Sequence, residues 1–281
     1  MDHSINLPRL DIARLLHQNG LHPDKSLGQN FLVDETALHK VVWAAEVSDT
    51  DVVLEIGAGL GSLTRLLAST ACRVVAVEID ARIVPVLKSV VAQFPNVEVV
   101  NGDILAYDPE TLVAGTEYLV VANIPYYITS NLIRHLLEGK LPPRRLVLTL
   151  QREVAERICA GQGDLSLLSL SVQVYGHPTV VAHIPASAFY PSPKVDSAII
   201  RIDLFPSPLI PPEQLDTFFL ITKAGFSQKR KTLRNSLAGG LHLSADSAAD
   251  ILNRAGIDPM RRAETLSINE WHKLVDLYSD R

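Results

Sequence analysis

Between residues 52 and 150 the chain alternates between two hydrophobic patterns. Short runs rich in valine, isoleucine and leucine stand at 52–56, 74–77, 97–100, 119–122 and 146–150, with helix-length segments between most of them. An unbroken apolar run of strand length marks a strand buried on both faces. Such runs alternating with helices predict a parallel sheet covered by helices. Ligands of these sheets bind beyond the C-terminal ends of the strands, so chemistry is sought at the strand tips.

The flanks extend this plan. A helical pattern covers about 8–18 and closes at Gly20. A second helix is expected to open at Asp34, a side chain suited to an N-cap, with Val33 and Leu38 placed as a hydrophobic staple. Residues 179–184 and 197–202 read as two further strands. The proline-rich stretch 205–212 reads as a linker, and from Glu213 onward the pattern is helical. The expected architecture is α/β: a Rossmann-like domain over 1–205 and a small C-terminal α-helical domain over 206–281.

Three consecutive strand tips carry polar chemistry. After the first comes Glu55-Ile-Gly-Ala-Gly-Leu-Gly61, whose glycines permit a tight turn and close approach of backbone to a ligand. Such a turn also occurs with no ligand, and alone it is a weak signal. The second strand ends at Glu78, about 20 residues on, where a carboxylate accepts hydrogen bonds from both hydroxyls of a ribose. NAD and S-adenosylmethionine (SAM) both carry that ribose. The third ends at Asp103, placed to accept from an adenine amino group. The set fits SAM better than a dinucleotide, which needs a helix N-terminus for its pyrophosphate.

The fourth strand delivers Asn123-Ile-Pro-Tyr-Tyr127. This cluster suits a reaction at an exocyclic amine of adenine, whose nitrogen lone pair is delocalised into the ring. Holding both amine hydrogens on acceptors favours a pyramidal nitrogen with a free lone pair. Asn123 offers a side-chain carbonyl and Ile124 its backbone carbonyl. Pro125 keeps Ile124 out of helical geometry and adds no competing N–H. Tyr126, and with it Tyr127, offers a π-face for an unstacked base. The competing structural role is core packing for the tyrosines and a helix cap for Asn123.

Composition narrows the classes. The 281 residues are 47% hydrophobic and 20% charged, ordinary for a globular protein. Two cysteines, Cys72 and Cys159, cannot build a disulfide framework and are expected as buried thiols in a reducing compartment. The nine histidines, His135 and His177 among them, form no ligand set, and no metal is expected. No uncharged apolar run approaches the ~18 residues of a membrane span. The N-terminal segment also lacks the basic and apolar regions of a signal peptide, so a cytoplasmic location is expected. The net charge of -5 argues against a general nucleic-acid binder. Yet Phe226, Leu233 and Leu237 share one face of a helical pattern, with Lys229, Arg230, Lys231 and Arg234 opposite. That predicts an amphipathic helix with a phosphate-binding stripe, extended by Arg144, Arg145, Arg152, Arg157, Lys194, Arg261 and Arg262 if they converge.

The glycine loop Glu55 to Thr64 together with Asn123 to Tyr127 resembles the ribosomal RNA adenine N6,N6-dimethyltransferases. Further blocks agree in the family's order: Lys25-Ser-Leu-Gly-Gln-Asn-Phe-Leu32, Gln151-Arg-Glu-Val-Ala-Glu-Arg157, Phe189-Tyr-Pro-Ser-Pro-Lys-Val-Asp-Ser197 and Lys229-Arg-Lys-Thr-Leu-Arg-Asn-Ser-Leu237. The resemblance covers roughly 25–270 and is strongest to the bacterial small-subunit (16S) branch. It implies a Rossmann-like SAM-dependent methyltransferase fold and N6,N6-dimethylation of two adjacent adenosines in the 3′-terminal hairpin loop of 16S rRNA. The implied partner is an immature small ribosomal subunit late in assembly, met by a monomeric enzyme. Carried over by motif, Asn30 and Leu32 line the SAM pocket, Gly57 touches the methionine end, Glu78 the ribose and Asp103 the adenine. Asn123 faces both SAM and the target amine, and Phe189 stacks opposite Tyr126. Ile124 stands where the family often has leucine, a harmless change because its backbone carbonyl is the acting group. The block opening at Lys25-Ser is less basic than in many relatives, which weakens an RNA role there. Other readings are the large-subunit sister group, a non-catalytic assembly factor, and a nicotinamide oxidoreductase that leaves Asn123 to Tyr126 unexplained.

Overall fold

The computed structural model describes residues 7–125 and 128–279. The five apolar runs are strands: β2 Val52–Ile56, β3 Arg73–Glu78, β4 Val97–Asn101, β5 Tyr118–Asn123 and β6 Arg145–Gln151. They pair in parallel in the order β4-β3-β2-β5-β6. Two later strands, β9 (Ser197–Leu204) and β7 (Gly176–Ile184), extend the sheet beyond β6, with β9 antiparallel to it. Neighbouring residues of one strand point to opposite faces. Val53 and Leu54 of β2 are both fully buried, as are Val120 and Val121 of β5. The sheet is therefore covered on both sides, as its unbroken apolar runs require.

The chain runs outward from β2 to β3 and β4, then returns to lay β5 on the other flank of β2. The gap between β2 and β5 is thus a topological switch point, where a crevice opens at the strands' C-terminal ends.

Helices enter where their caps allow. α1 (Ile12–Gln18) begins at Asp11, which accepts the Arg14 N–H at 3.0 Å, so the turn from residue 8 to 11 is not helical. α2 (Glu35–Ala45) starts at Asp34, which accepts the Ala37 N–H at 2.7 Å. It buries Ala37, Leu38, Val41, Ala44 and Ala45 in the same core as Val53, Leu119, Val121 and Val147. Its last carbonyls, Ala44 and Ala45, accept from Arg201 and Arg145, cations suited to a helix C-terminus. Truncating Leu38 to alanine removes part of this core, at a cost of about 2–5 kcal/mol. α3 (Ser62–Ala68) and α4 (Val84–Val91) follow β2 and β3, and two further helices, α5 (Pro109–Leu112) and α6 (Thr129–Leu137), flank β5. The two-stranded pair β1 (Phe31–Leu32) and β8 (Phe189–Tyr190) stands apart from the main sheet.

The chain divides into two compact units, 1–155 with 179–204, and 156–178 with 205–281. A single cut after residue 205 therefore needs correction, because an excursion, 156–178, joins the C-terminal unit. α7 (Arg152–Ile158) leads into it and α8 (Leu167–Gln173) forms its centre. Gly163 N–H donates to Glu264 O, and the Gln162 amide to Thr265 O. The proline-rich stretch is likewise not a free linker. Phe205 N–H donates to Tyr175 O, Leu209 N–H to Val174 O, and Ile210 is fully buried. The rest of this unit is helical: α9 (Leu215–Gly225), α10 (Leu233–Gly240), α11 (Ala245–Arg254) and α12 (Ile268–Ser279).

The cysteines also differ from expectation. Cys72 is exposed in the turn before β3, and Cys159 is half-buried, its thiol pushed up to about 11 by burial. Apolar sequence neighbours do not bury a residue that sits in a turn. Among the described residues no helix is long and apolar enough to cross a membrane.

Candidate active site

The crevice begins with the glycine turn. Gly57, Gly59 and Gly61 all have positive φ, at 75°, 58° and 89°. Space is as restrictive as conformation. A Cβ on Gly57 would sit 3.3 Å from the Asn123 carbonyl oxygen, and one on Gly59 3.0 Å from the Phe31 ring. Backbone and ring approach here as close as glycine permits. Gly57 and Gly59 line an open cleft with residues 27–31, Glu78, Ile79, Asn123, Ile124 and Pro125. A smaller pocket adjoins it through Gly57, Gly59 and Asn123, and is walled by Leu32, Leu38, Glu55 and Ser62.

Glu78 closes one wall. It ends β3, is 4% exposed, and receives the Gly59 N–H at 2.7 Å on Oε2 and the Asp80 N–H at 2.9 Å on Oε1. Burial raises its pKa, and these two backbone donors oppose the rise. The donors fix the carboxylate plane, and each oxygen keeps a lone pair for a hydroxyl donor. Glu55, at the end of β2, is 1% exposed, and burial pushes its carboxyl up to about 8. Thr64 lies close enough to temper that rise, although its hydroxyl makes no bond of normal geometry, and the neighbouring Glu78 adds to it. Burial thus favours the protonated form of Glu55, and its Oε2 is unpaired among the described residues.

The third acid behaves differently. Asp103 is exposed two residues beyond β4 and accepts the Leu105 N–H at 3.0 Å, opening a short 3-10 turn at 104–106. It does not line the cleft.

Asn123, the last residue of β5, is half-buried, and its Nδ2 donates to the Asn30 carbonyl at 3.0 Å. Among the described residues it caps no helix, and α6 starts after Ile128. Ile124 is buried, its N–H bonded to Thr149 O of β6 at 3.1 Å, so the peptide beyond the strand is anchored to the sheet. Pro125 lines the cleft beside it. Tyr126 and Tyr127 lie outside the described residues. Asn30 lines the cleft and Leu32 the adjoining pocket.

Phe189, the residue expected to stack opposite Tyr126, is largely buried. In the β1–β8 pair it stands opposite Leu32, and both side chains are buried in the core. Two-residue alternation in β8 turns its neighbour outward, and Tyr190 is 41% exposed.

The basic segment of the C-terminal unit is also corrected. α9 ends at Gly225 and α10 begins at Leu233, so Lys229, Arg230 and Lys231 stand exposed in the intervening loop, and only Arg234 is helical. The apolar spacing survived because Leu233 and Leu237 are buried on α10 while Phe226 caps α9. Just past that cap, the Ser227 hydroxyl donates to Ala224 O, a carbonyl of the last turn of α9. Lys229, Arg230 and Lys231 form no ion pair among the described residues. Arg144, by contrast, is paired with Asp51 and Glu117, Arg145 with Glu46 and Asp203, and Arg261 with Glu270. Among the described residues no three His, Cys, Asp or Glu side chains form a metal-binding group.

The sequence did not announce a ring of side chains beside the cleft, made by Asp24, Gln29, Asp80 and Arg82. Its only local signal was the second acid two residues after Glu78.

Residues 21–280 match the ribosomal RNA adenine dimethylase family. A relative from Dehalococcoides mccartyi (strain CBDB1), named ribosomal RNA small subunit methyltransferase A, is 45% identical over 256 residues, 91% of this chain and 88% of its own. Among solved structures, a dimethyladenosine transferase from Plasmodium falciparum superposes with a TM-score of 0.77 at 27% identity, over 89% of this chain and 98% of its own. The 23S rRNA methyltransferase ErmE superposes with a TM-score of 0.72 at 28% identity, over 89% of this chain and 100% of its own.

Proposed function

Because this chain belongs to the ribosomal RNA adenine dimethylase family, and so is a SAM-dependent rRNA (adenine-N6,N6)-dimethyltransferase, we propose that it modifies the small-subunit rRNA. The target is the pair of adjacent adenosines in the 3′-terminal hairpin loop of 16S rRNA, met in an immature small subunit by a monomeric, cytoplasmic enzyme. The higher identity to a small-subunit relative, 45% against 28% for the 23S enzyme, supports this branch.

The observation that carries the mechanism is the meeting of the glycine turn, Glu78 and Asn123 around one cleft. The cleft suits SAM: a Cβ at Gly57 or Gly59 would crowd it, and the buried Glu78 keeps lone pairs for ribose hydroxyls. When bound, SAM supplies an already activated methyl group. The protein's task is then positioning and electrostatics. Gly57 admits the methionine end. Asn30 and Leu32 line that pocket. Asp103, exposed beyond the neighbouring strand and outside the cleft lining, serves the adenine end where the cofactor extends past that lining.

Asn123 Oδ1 and the Ile124 carbonyl accept the two hydrogens of the target amine, which withdraws its lone pair from the ring. Once one methyl is added and one proton is released to solvent, a single hydrogen remains, and one acceptor suffices for the second transfer. Tyr126 stacks on the extruded base. Lys229, Arg230, Lys231 and Arg234 hold rRNA phosphates.

The test supplies labelled SAM to small subunits assembled without the modification and, separately, to large subunits. Label on small-subunit rRNA is expected. Label on large-subunit rRNA alone would move the protein to the sister branch, and no transfer to either would make it an assembly factor.

A further inference from the structure

Four side chains close a ring beside the cofactor cleft, and the reaction described above uses none of them. Gln29 joins its two halves: Nε2 donates to Asp80 Oδ2 at 2.8 Å, and Oε1 accepts the Asp24 N–H at 2.8 Å. Arg82 closes the other side. It donates to Asp24 Oδ2 at 3.0 Å and to the two Asp80 oxygens at 2.8 and 2.7 Å. Asp80, 5% exposed, is the buried hub. Gln29 lies 51 residues from Asp80 in sequence, so the ring ties segment 24–30 to the tip of β3.

The segment is braced internally as well. Ser26 donates its N–H and hydroxyl to Asp24 Oδ1, Gly28 N–H bonds Lys25 O, and Gln29 N–H bonds Asp24 O. Residues 27–30 then wall the cleft, and Phe31 continues the wall as the first residue of β1. A wall held this way keeps its geometry without being part of the main sheet.

What the wall holds is Asn123. The Asn30 carbonyl accepts from Asn123 Nδ2 at 3.0 Å. A primary amide has two ends of nearly equal shape, one donor and one acceptor. A carbonyl accepts only, so the NH₂ end must face Asn30, and Oδ1 is the end left for the substrate. The same ring reaches the other arm of the site, because Asp80 N–H donates to Glu78 Oε1.

We infer that Gln29, Asp80 and Arg82 are positioning residues, a latch that holds the Asn30 carbonyl where it turns the acceptor end of Asn123 toward the target amine. The inference rests on the reading of Asn123 given above. None of the three touches the reacting atoms.

The test is a double-mutant cycle on the full chain with unmodified small subunits, read as single-turnover methyl transfer at saturating SAM. Gln29→Leu in the wild-type background should slow transfer about tenfold or more, since misplacing a reacting group by ~1 Å costs up to about 10²-fold. In an Asn123→Ala background the same change should cost less than about twofold, because the group it positions is gone. Equal fold-losses in both backgrounds would mean general destabilisation and would overturn the latch. No loss in the wild-type background would overturn it too. If Asn123→Ala is crippled and Gln29→Leu is not, the latch alone fails. If Asn123→Ala turns over normally, the amine-acceptor reading fails and takes the latch with it. Should Gln29→Leu fail to fold, Arg82→Gln alters a half-exposed guanidinium and carries the same comparison.

Discussion

At the tip of β3 a carboxylate is 4% exposed and pinned by two backbone N–H groups, whereas between α9 and α10 three cations stand in solvent with no ion-pair partner among the described residues. The two regions handle polar groups in opposite ways. In the cleft, direction is fixed before any ligand arrives, and low polarity makes each hydrogen bond strong. In the loop, charge acts over several ångströms of water, is screened by salt, and asks little of geometry. Chemistry and cofactor discrimination belong to the first arrangement. Affinity for a polyanion belongs to the second.

The largest expected effect breaks chemistry from binding. Asn123→Ala should lower single-turnover transfer on the order of 10³-fold, as loss of an acceptor used in the transition state would. Its affinity for small subunits should stay within about threefold, since phosphates dominate that term. A titration of subunits alongside the rate measurement checks both halves.

Next comes the burial of Glu55. Its carboxyl titrates near 4.5 when unfolded and near 8 when folded. Between those values the folded chain holds a proton that the unfolded chain has released. Stability therefore falls as pH rises across the window, by up to about 1.4 kcal/mol per unit. Urea unfolding at pH 5.5 and pH 8 should show wild type weaker at the higher pH by a few kcal/mol. Glu55→Gln should flatten that difference, and an unchanged slope would show that Glu55 is not its source.

Glu78→Gln sharpens the same region. It keeps the shape but sets an N–H against a backbone donor, Gly59 or Asp80. SAM affinity should fall about ten- to a hundredfold, as an unpaired buried donor costs about 1–3 kcal/mol. Affinity for subunits should not move.

The smallest effect belongs to the exposed loop. Changing Lys229, Arg230 and Lys231 together to alanine should weaken subunit binding and reduce the slope of log K against log salt by about 0.7 to 0.9 for each phosphate no longer neutralised. SAM affinity should stay the same. An unchanged salt slope would remove the loop from the RNA interface.

How much of this was legible in the sequence follows the same divide. Continuous apolar runs declare buried strands by themselves, and the register of Gly57, Glu78 and Asn123 at successive tips follows from them. Asp34 declared the start of α2 because an N-cap is a local signal. Asp103 was placed on the right strand end, but whether a tip residue turns into a cleft or toward solvent depends on the loop after it. The burial of Phe189 has a related cause. In a two-residue strand, register decides which ring is buried, and Leu32 sits opposite it. The helical spacing of Phe226, Leu233 and Leu237 spanned a break, because two helices joined by a short loop keep apolar residues on the core side. The excursion at 156–178 and the Gln29–Asp80 bond depend on pairings between residues far apart in sequence, which periodicity does not carry.

The identity of the product is the most direct test of Asn123 and Ile124 as acceptors for an adenine amine. Small-subunit rRNA modified by the pure protein and SAM, digested and read by mass spectrometry, should yield two adjacent adenosines, each with two methyl groups on N6. Methyl groups on a ribose or on a ring nitrogen would contradict it, because Asn123 and Ile124 would then be holding something other than an exocyclic amine; N6-methyl groups on a single isolated adenosine would contradict the adjacent-pair target.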